Sequence, residues 1–452
     1  MKVLLLSINI EKEPYPVYPL GMAMIASALT AAGHEVKQFD YLSMGRLDCK
    51  LISAVQVFQP DVVGLSLRNI DNVDSFSGMK HWSLGHARDV VHLLRSHTDA
   101  PIIVGGPGYS LMPEAILDYL GADYGIAGEG ERAVVKLLDR IREMRSGPRI
   151  MREQHALITD EICPPMFDKN IIFFYNQESG LVGLQTKRGC PHHCAYCCYP
   201  FLEGHVVRTC DPEMVVDDMA RLHHDHGIDH VYFTDSVFND CHGKYLELVL
   251  VLVRKNLPVR WSAFFRPTLM SKEEIDLLER SGLQGLEVGS DAGAEATLSG
   301  LNKGFSCLDI IDFNEAFITR GKSVAHYFII GGPGEDEATI TETLNNLDRL
   351  KRCVAFIYSG IRILPGTTLH ARAIDEGVIT SSESLLQPVY YHSPLIDREF
   401  MHNKVSTALR GRRDRFFPPG EAMERMNVMR RFGYKGLVWD RLISTEIKRQ
   451  QK

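Results

Sequence analysis

No stretch of this 452-residue sequence is apolar for long enough to span a bilayer; the longest apolar run, Tyr245–Val253, falls far short. An excess of positive charge is missing too. Lys plus Arg is 50 against 57 for Asp plus Glu, a formal charge of −7, which argues against general nucleic-acid binding. A secretory leader is not indicated. The opening MKVLLLSIN is basic then apolar, but Ile10-Glu11-Lys12-Glu13 follows at once with no small-residue cleavage site. The opening reads as a first β-strand, and the cytoplasm is the expected location. There is no solenoid repeat and no low-complexity segment. A disulfide framework is lacking as well, although there are ten cysteines. Four crowd into Cys190, Cys194, Cys197 and Cys198, which in a cytosolic enzyme reads as metal or redox chemistry. Cys49, Cys163, Cys210, Cys241, Cys307 and Cys353 are scattered and read as buried small hydrophobes.

What remains is an ordinary globular composition, 45% hydrophobic and 24% charged, long enough for two or three domains. Residues 1–145 alternate short apolar strands with amphipathic helices. Strands are expected at Lys2–Ile8, Glu35–Phe39, Val62–Ser66, Ile102–Val104 and Tyr124–Ala127. That alternation predicts a parallel, doubly wound sheet, whose ligands bind beyond the carboxyl ends of the strands. Residues 146–180, with Gly147-Pro148 and Pro164-Pro165, read as a linker. From Leu181 six more strand–helix units follow. Their strands are Gly183–Lys187, Val231–Thr234, Arg260–Phe264, Gly285–Gly289, Ala325–Ile330 and Phe356–Ile363. Six such units predict a barrel or partial barrel over 181–399. Residues 400–452 read as helical and basic, and Arg410, Arg412, Arg413 and Arg415 as a solvated face.

The strongest chemical signal is Lys187-Arg188-Gly189-Cys190-Pro191-His192-His193-Cys194-Ala195-Tyr196-Cys197-Cys198, directly after the first strand of the second unit. The spacing is C-x3-C-x2-C. Three thiolates on one tight loop can each ligate one iron of a [4Fe–4S] cube and leave the fourth iron to a small chelator. A structural zinc site is the competing reading. Zinc wants four ligands, and no second C-x2-C pair is present, though His192, His193 or Cys198 would serve as a fourth. Cys198 lies outside the three-ligand spacing and reads as a packing residue.

This loop resembles that of radical S-adenosylmethionine (SAM) enzymes. The resemblance runs on through Asp235-Ser236 at the second strand's end, Gly331-Gly332-Pro333-Gly334-Glu335 after the fifth and Leu364-Pro365-Gly366-Thr367 after the sixth. It implies Cys190, Cys194 and Cys197 as cluster ligands. SAM contacts would come from Tyr196, Asp235, Ser236, Arg266, Asp291 and the turn Gly331, Gly332, Pro333 and Gly334. Glycine-rich backbone amides at that turn suit the SAM carboxylate. The fourth strand departs from the usual Gly-x-Glu-Ser-Gly and reads Glu287-Val288-Gly289-Ser290-Asp291-Ala292-Gly293. Glu287 is an extra carboxylate, a candidate to contact SAM, to act as a base or to cap the open iron; pairing with Lys303 or Arg266 is the structural alternative. Tyr327, with Phe264, Phe265, Phe328 and Tyr358, is a candidate to line a substrate pocket, or else ordinary barrel core.

The first unit resembles the cobalamin-binding domain that precedes the barrel in one subclass of these enzymes. Tyr18-Pro19-Leu20-Gly21, Gly105-Gly106-Pro107-Gly108 and Gly128-Glu129-Gly130 carry the likeness. Tyr18, Pro19, Leu20, Ser66, Arg68, Asn69, Gly105, Gly106, Gly108, Gly128, Glu129 and Gly130 are then the expected cofactor contacts, the glycines letting backbone approach a corrin. The cobalt-ligating Asp-x-His-x-x-Gly is absent. Arg68 ends the third strand, where the corrin face is expected, and a guanidinium has no lone pair for cobalt. The alternative is that Arg68 pairs with Asp71 or with a backbone carbonyl.

Together these motifs imply an α/β chain: a doubly wound, Rossmann-like cobalamin-binding domain, a partial (β/α)6 radical SAM barrel and a helical C-terminal region. They imply a [4Fe–4S] cluster, SAM and cobalamin as cofactors, and a methyltransferase acting on an unactivated carbon of a small molecule. An external electron donor such as flavodoxin or ferredoxin is implied as partner. Glu287, Tyr327 and Arg68 are the candidate catalytic residues. Radical cyclisation or rearrangement, aminocarboxypropyl transfer and a non-catalytic binding role are the competing readings.

Overall fold

The apolar runs of the first stretch form six parallel strands: β1 (Lys2–Ser7), β2 (Glu35–Asp40), β3 (Val62–Ser66), β4 (Ile102–Gly105), β5 (Tyr124–Ala127) and β6 (Ile150–Arg152). Their order is β2-β1-β3-β4-β5-β6. The order reverses between β1 and β3, the crevice where ligands of doubly wound sheets sit. β1 is buried along almost all its length, because helices cover both faces of the sheet. The structure, a computed structural model, describes residues 1–162 and 164–443.

The second stretch forms β7 (Val182–Leu184), then the short β8 (Lys187–Arg188) and β9 (Arg208–Thr209). β10 (His230–Phe233), β11 (Arg260–Phe265), β12 (Leu283–Asp291), β13 (Ser323–Ile330) and β14 (Val354–Ser359) follow. β15 (Ile361–Arg362), β16 (Tyr390–Tyr391) and β17 (Arg415–Phe416) complete the set. The parallel sheet runs β7-β10-β11-β12-β13-β14-β17, a partial barrel with helices between its strands. No helix of the described residues is long and apolar enough to cross a membrane.

Several expectations need correction. The strand foreseen over 183–187 breaks after Leu184. Thr186 and Lys187 donate their backbone N–H groups to Asp235 at 2.8 and 3.2 Å, so β8 leaves the barrel ladder and pairs antiparallel with β9. The stretch read as a linker holds β6 and a helix, Lys169–Glu178, capped by the Asp168 carboxylate. A helix at Asp48–Phe58 was not foreseen. The C-terminal stretch read as helical contributes β17, the seventh barrel strand. Arg415 there is no solvated residue: it is buried and donates to the carbonyls of Cys353 and Leu350 at 2.9 and 2.6 Å. Arg412 pairs with Asp348, while Arg410 and Arg413 are exposed. Phe416, Met426, Leu437 and Trp439 pack on Val354 and Phe356, so the chain's last described turns are core. Of the scattered cysteines, Cys210, Cys307 and Cys353 are buried but Cys49 and Cys241 are exposed; Cys163 lies outside the described residues.

Candidate active site between the two sheets

The carboxyl ends of the two sheets face a shared cavity of about 830 Å³. That size lies within the range of cofactor and substrate sites. From the first unit, Tyr18, Pro19, Leu20, Ser66, Arg68 and Asn69 line it. So do Gly105, Gly106, Gly108, Gly128, Glu129 and Gly130, which brings every residue expected there to one wall. The barrel side adds Arg188, Cys198, Tyr232, Asp235, Ser236 and Phe264. Among the described residues no histidine lines the cavity.

The glycines do not all act as foreseen. A Cβ on Gly106, whose φ is +104°, would lie 2.6 Å from the Leu67 carbonyl oxygen, and one on Gly108 would lie 3.0 Å from the Asn69 backbone. These two let the β4 turn press on the end of β3 rather than on a ligand. Gly128 has open space where its Cβ would point.

Arg68 reaches the cavity without an ion-pair partner among the described residues. Its Nε is buried and unbonded, and burial lowers the pKa of its guanidinium. The alternative pairing with Asp71 does not occur: Asp71 accepts from Arg362 Nε at 2.8 Å, with both side chains buried. An orphaned buried donor at the carboxyl end of a doubly wound sheet fits a bound ligand there.

Glu129 is drawn away from the role expected of it. It accepts from Arg188 at 2.9 Å, Arg208 at 2.8 Å and the Leu157 amide at 2.7 Å. Burial alone would raise its pKa, but these donors hold the carboxyl below its ordinary range. Arg188 also pairs with Glu131 at 2.5 Å, so an ion-pair latch joins the first unit to the strand that enters the cysteine loop. Nothing in the sequence marked Arg188 beyond its place two residues before Cys190.

The cysteine loop is held at many points. Gly189, at φ +90°, lies so near the Val206 carbonyl that a Cβ would come within 2.1 Å of it. Gly189 N donates to Glu203 at 3.0 Å, Cys190 N to the Gly204 carbonyl at 3.0 Å and Ala195 N to the Leu301 carbonyl at 2.9 Å. Cys190 is buried and Cys194 and Cys197 half-buried. Burial pushes the Cys197 thiol up to about 12, against the Tyr199 amide. The charged forms of the three thiols oppose one another, so they lie near each other. Among the described residues no three His, Cys, Asp or Glu side chains gather about one metal ion. A cube asks for a different arrangement, with one thiolate at each of three iron corners, and this donor set fits it. Cys198 packs against the first unit's core, as expected of a residue outside the ligand spacing.

Several barrel residues expected to touch SAM have partners within the protein. Asp235 accepts from Thr186 Oγ1 at 2.5 Å and pairs with Lys187 at 3.0 Å, both side chains buried, although it also borders the cavity. Ser236 bonds to the Cys190 thiol. Gly331 N and Gly332 N donate to Glu335 Oε2 at 2.6 and 3.2 Å, so they are not free for a SAM carboxylate. Burial raises the Glu335 carboxyl to about 7 against those two amides. Pro333 packs against Gly300, next to the Leu301 carbonyl that holds Ala195. Gly334, at φ +82°, completes the turn.

Asp291 and Glu287 lead separate lives. Asp291 accepts from Tyr196 Oη and Lys303 Nζ, each at 2.5 Å. Lys303 and Arg266 flank the Phe305 ring. Glu287 pairs with neither Lys303 nor Arg266, contrary to the alternative considered for it. Its carboxylate accepts from Trp439 Nε1 at 3.0 Å, Tyr232 Oη at 2.9 Å and Tyr15 Oη at 3.4 Å. Burial raises its pKa. Tyr327 lies beside it and stacks on Phe356 at 5.3 Å. Phe265 and Phe328 are core, whereas Phe264 reaches the cavity. Tyr15 and Trp439 carried no motif, since what places them is tertiary.

Two family models match in this order: the B12 binding domain over residues 6–138 and the radical SAM superfamily over residues 184–347. The tryptophan 2-C-methyltransferase of Streptomyces laurentii is 25% identical, covering 79% of this chain and 72% of the relative. The cytidylyl-2-hydroxyethylphosphonate methyltransferase of Streptomyces wedmorensis is 25% identical, covering 86% and 84%. The fold matches the radical SAM methyltransferase TsrM from Kitasatospora setae, solved with tryptophan and a SAM analogue, at a TM-score of 0.86. The two are 23% identical, covering 99% of this chain and 98% of that one. With a B12 binding domain followed by a radical SAM domain, the chain is a cobalamin-dependent radical SAM methyltransferase with a [4Fe–4S] cluster, SAM and cobalamin as its cofactors.

Proposed function

We propose that this protein methylates an unactivated carbon of a small, largely apolar molecule held in the cavity between its two sheets. The observation that carries the proposal is that one cavity is shared by Arg68, unpaired among the described residues, and by the barrel wall beside the cysteine loop. When bound, SAM on the cluster supplies a 5′-deoxyadenosyl radical and cobalamin carries the methyl group. The chain's own residues hold and orient. Cys190, Cys194 and Cys197 bind the cluster. Arg68 would lie against a bound corrin, and as a cation with no lone pair it would offer the metal no ligand. Gly105, Gly128 and Tyr18 shape the wall, and Phe264 and the phenols of Tyr15 and Tyr232 keep water from the reacting carbon. Tyr196, Lys303 and Arg266 border the SAM site. We add an external electron donor such as flavodoxin or ferredoxin, a cytoplasmic location and no nucleic-acid partner, the last in keeping with the charge of −7.

The test is anaerobic turnover with methyl-labelled SAM and hydroxocobalamin, followed by an untargeted product screen. The expected product carries the label and one added methyl group. 5′-Deoxyadenosine with a product of unchanged mass would instead mean rearrangement or cyclisation.

A further inference from the structure

The cysteine loop and the cavity share one element, the short helix Tyr199–Glu203. It begins two residues after Cys197, and the Tyr199 N–H donates to the Cys197 sulfur. Its other end holds the entry to the loop. The Glu203 carboxylate accepts from Gly189 N at 3.0 Å, and the Gly204 carbonyl accepts from Cys190 N at 3.0 Å. The helix is thus tied to the first and the third of the cluster cysteines. Its flank belongs to the cavity, which Cys198, Tyr199 and Leu202 line. Tyr199 is 41% exposed, and its phenol lies within electrostatic reach of Arg68 at the first sheet's end. Two guanidiniums close the frame. Arg188 donates to Glu129 and Glu131 and passes directly into Gly189. Arg208 donates to Glu129 at 2.8 Å and to the Glu203 carbonyl at 2.6 Å. A ring of bonds therefore runs from Glu129 through Arg188, Gly189, Glu203 and Arg208 back to Glu129.

We propose that Tyr199 contacts bound cobalamin and that its helix makes the binding of cobalamin and of the cluster cooperative. Both parts rest on the cluster ligands and the cobalamin position in the function proposed above. A cluster bonded to Cys190 and Cys197 pins both ends of the helix and so holds the Tyr199 ring in the cavity wall. Cobalamin against that ring holds the same helix, and with it the amide and the carbonyl that place the two cysteines. Whichever cofactor binds first meets the cost of fixing the helix, and the second finds it fixed. By linkage each cofactor then raises the other's affinity by the same factor. Tyr199 takes no part in the chemistry; it is a positioning residue.

The test is the affinity of the full chain for hydroxocobalamin, followed by its visible spectrum, with and without the reconstituted cluster. The cluster-loaded chain is expected to bind about fivefold more tightly or better. Tyr199→Ala leaves the backbone amide on Cys197 in place. It is expected to keep its iron, to weaken binding to the cluster-loaded chain and to bring the ratio of the two affinities toward one. A side chain that only helped the fold would weaken both forms alike and leave that ratio standing. If the cluster-free chain aggregates, the holoenzyme decides. Bound cobalamin is expected to slow the release of cluster iron to a chelator by a similar factor, and Tyr199→Ala to remove that protection. A ratio of one in wild type overturns the proposal. So does a ratio unchanged in Tyr199→Ala, or iron release indifferent to cobalamin. Iron and sulfide content of Cys190→Ala and Cys197→Ala tests the ligand assignment separately, and cobalamin binding to neither form would overturn the cofactor reading itself.

Discussion

The two sheet ends that share the cavity are built on opposite terms. At the first sheet's end a charged side chain, Arg68, has no acid beside it among the described residues, and Gly128 leaves open space. At the barrel's end Asp235, Asp291, Glu335 and Glu287 are all buried, and each has its donors inside the protein. One end leaves a charged group facing the cavity. The other uses its carboxylates to hold a loop and a wall in place, since buried charges persist only when paired or hydrogen-bonded. A carboxylate at the mouth of a barrel is thus no guide to substrate contact until its partners are known.

The comparison breaks most completely at the loop that the barrel end supports. Cys190→Ala, Cys194→Ala and Cys197→Ala are each expected to lose the cluster, while Cys198→Ala keeps it; iron and sulfide analysis with electron paramagnetic resonance reads the difference. Next comes the barrel's buried pair. Asp235→Ala leaves the Lys187 ammonium buried and uncompensated, at a cost of about 3–5 kcal/mol in urea unfolding.

Glu335 gives a smaller effect with a definite sign. Burial raises its carboxyl from 4.5 to about 7, so the protonated form is favoured by folding. Its stabilising contribution is full below about pH 4.5 and is lost as the pH rises through about 7. Glu335→Gln, always neutral, should therefore gain on wild type between pH 5 and pH 8 by roughly 1–3 kcal/mol in parallel melts. Smallest for stability is Arg68→Gln, expected within about 0.5 kcal/mol of wild type because no ion pair is broken. The same variant should slow methyl transfer and alter the cob(II)alamin spectrum; unchanged turnover with an unchanged spectrum would remove Arg68 from the site.

Much of this was legible in the sequence because it is local. Strand–helix alternation, the C-x3-C-x2-C loop and the strand-end positions of Ser66, Arg68 and Gly128 follow from patterns within a few residues. The partners of the barrel carboxylates were not legible, since Asp235 finds Lys187 48 residues away and Glu287 finds Trp439 152 residues away. The amides of Gly331 and Gly332 misled for a related reason. Their own turn supplies Glu335 as acceptor, a competitor that a glycine pattern does not reveal. Arg415 reads as a surface charge until β17 is seen to enter the barrel sheet and the carbonyls of Leu350 and Cys353 come within its reach.

The long reach from Glu287 to Trp439 also sets an order of events during synthesis. All six strands of the first sheet have left the ribosome once residue 152 has emerged, so that unit can close early. The barrel cannot. β17 and the indole that caps Glu287 come from the last part of the described chain, after every other barrel strand. Until they arrive, a nascent barrel carries an open edge at β14 and a carboxylate short of a donor. The first unit would then be ready to receive its cofactor before the barrel can finish its wall.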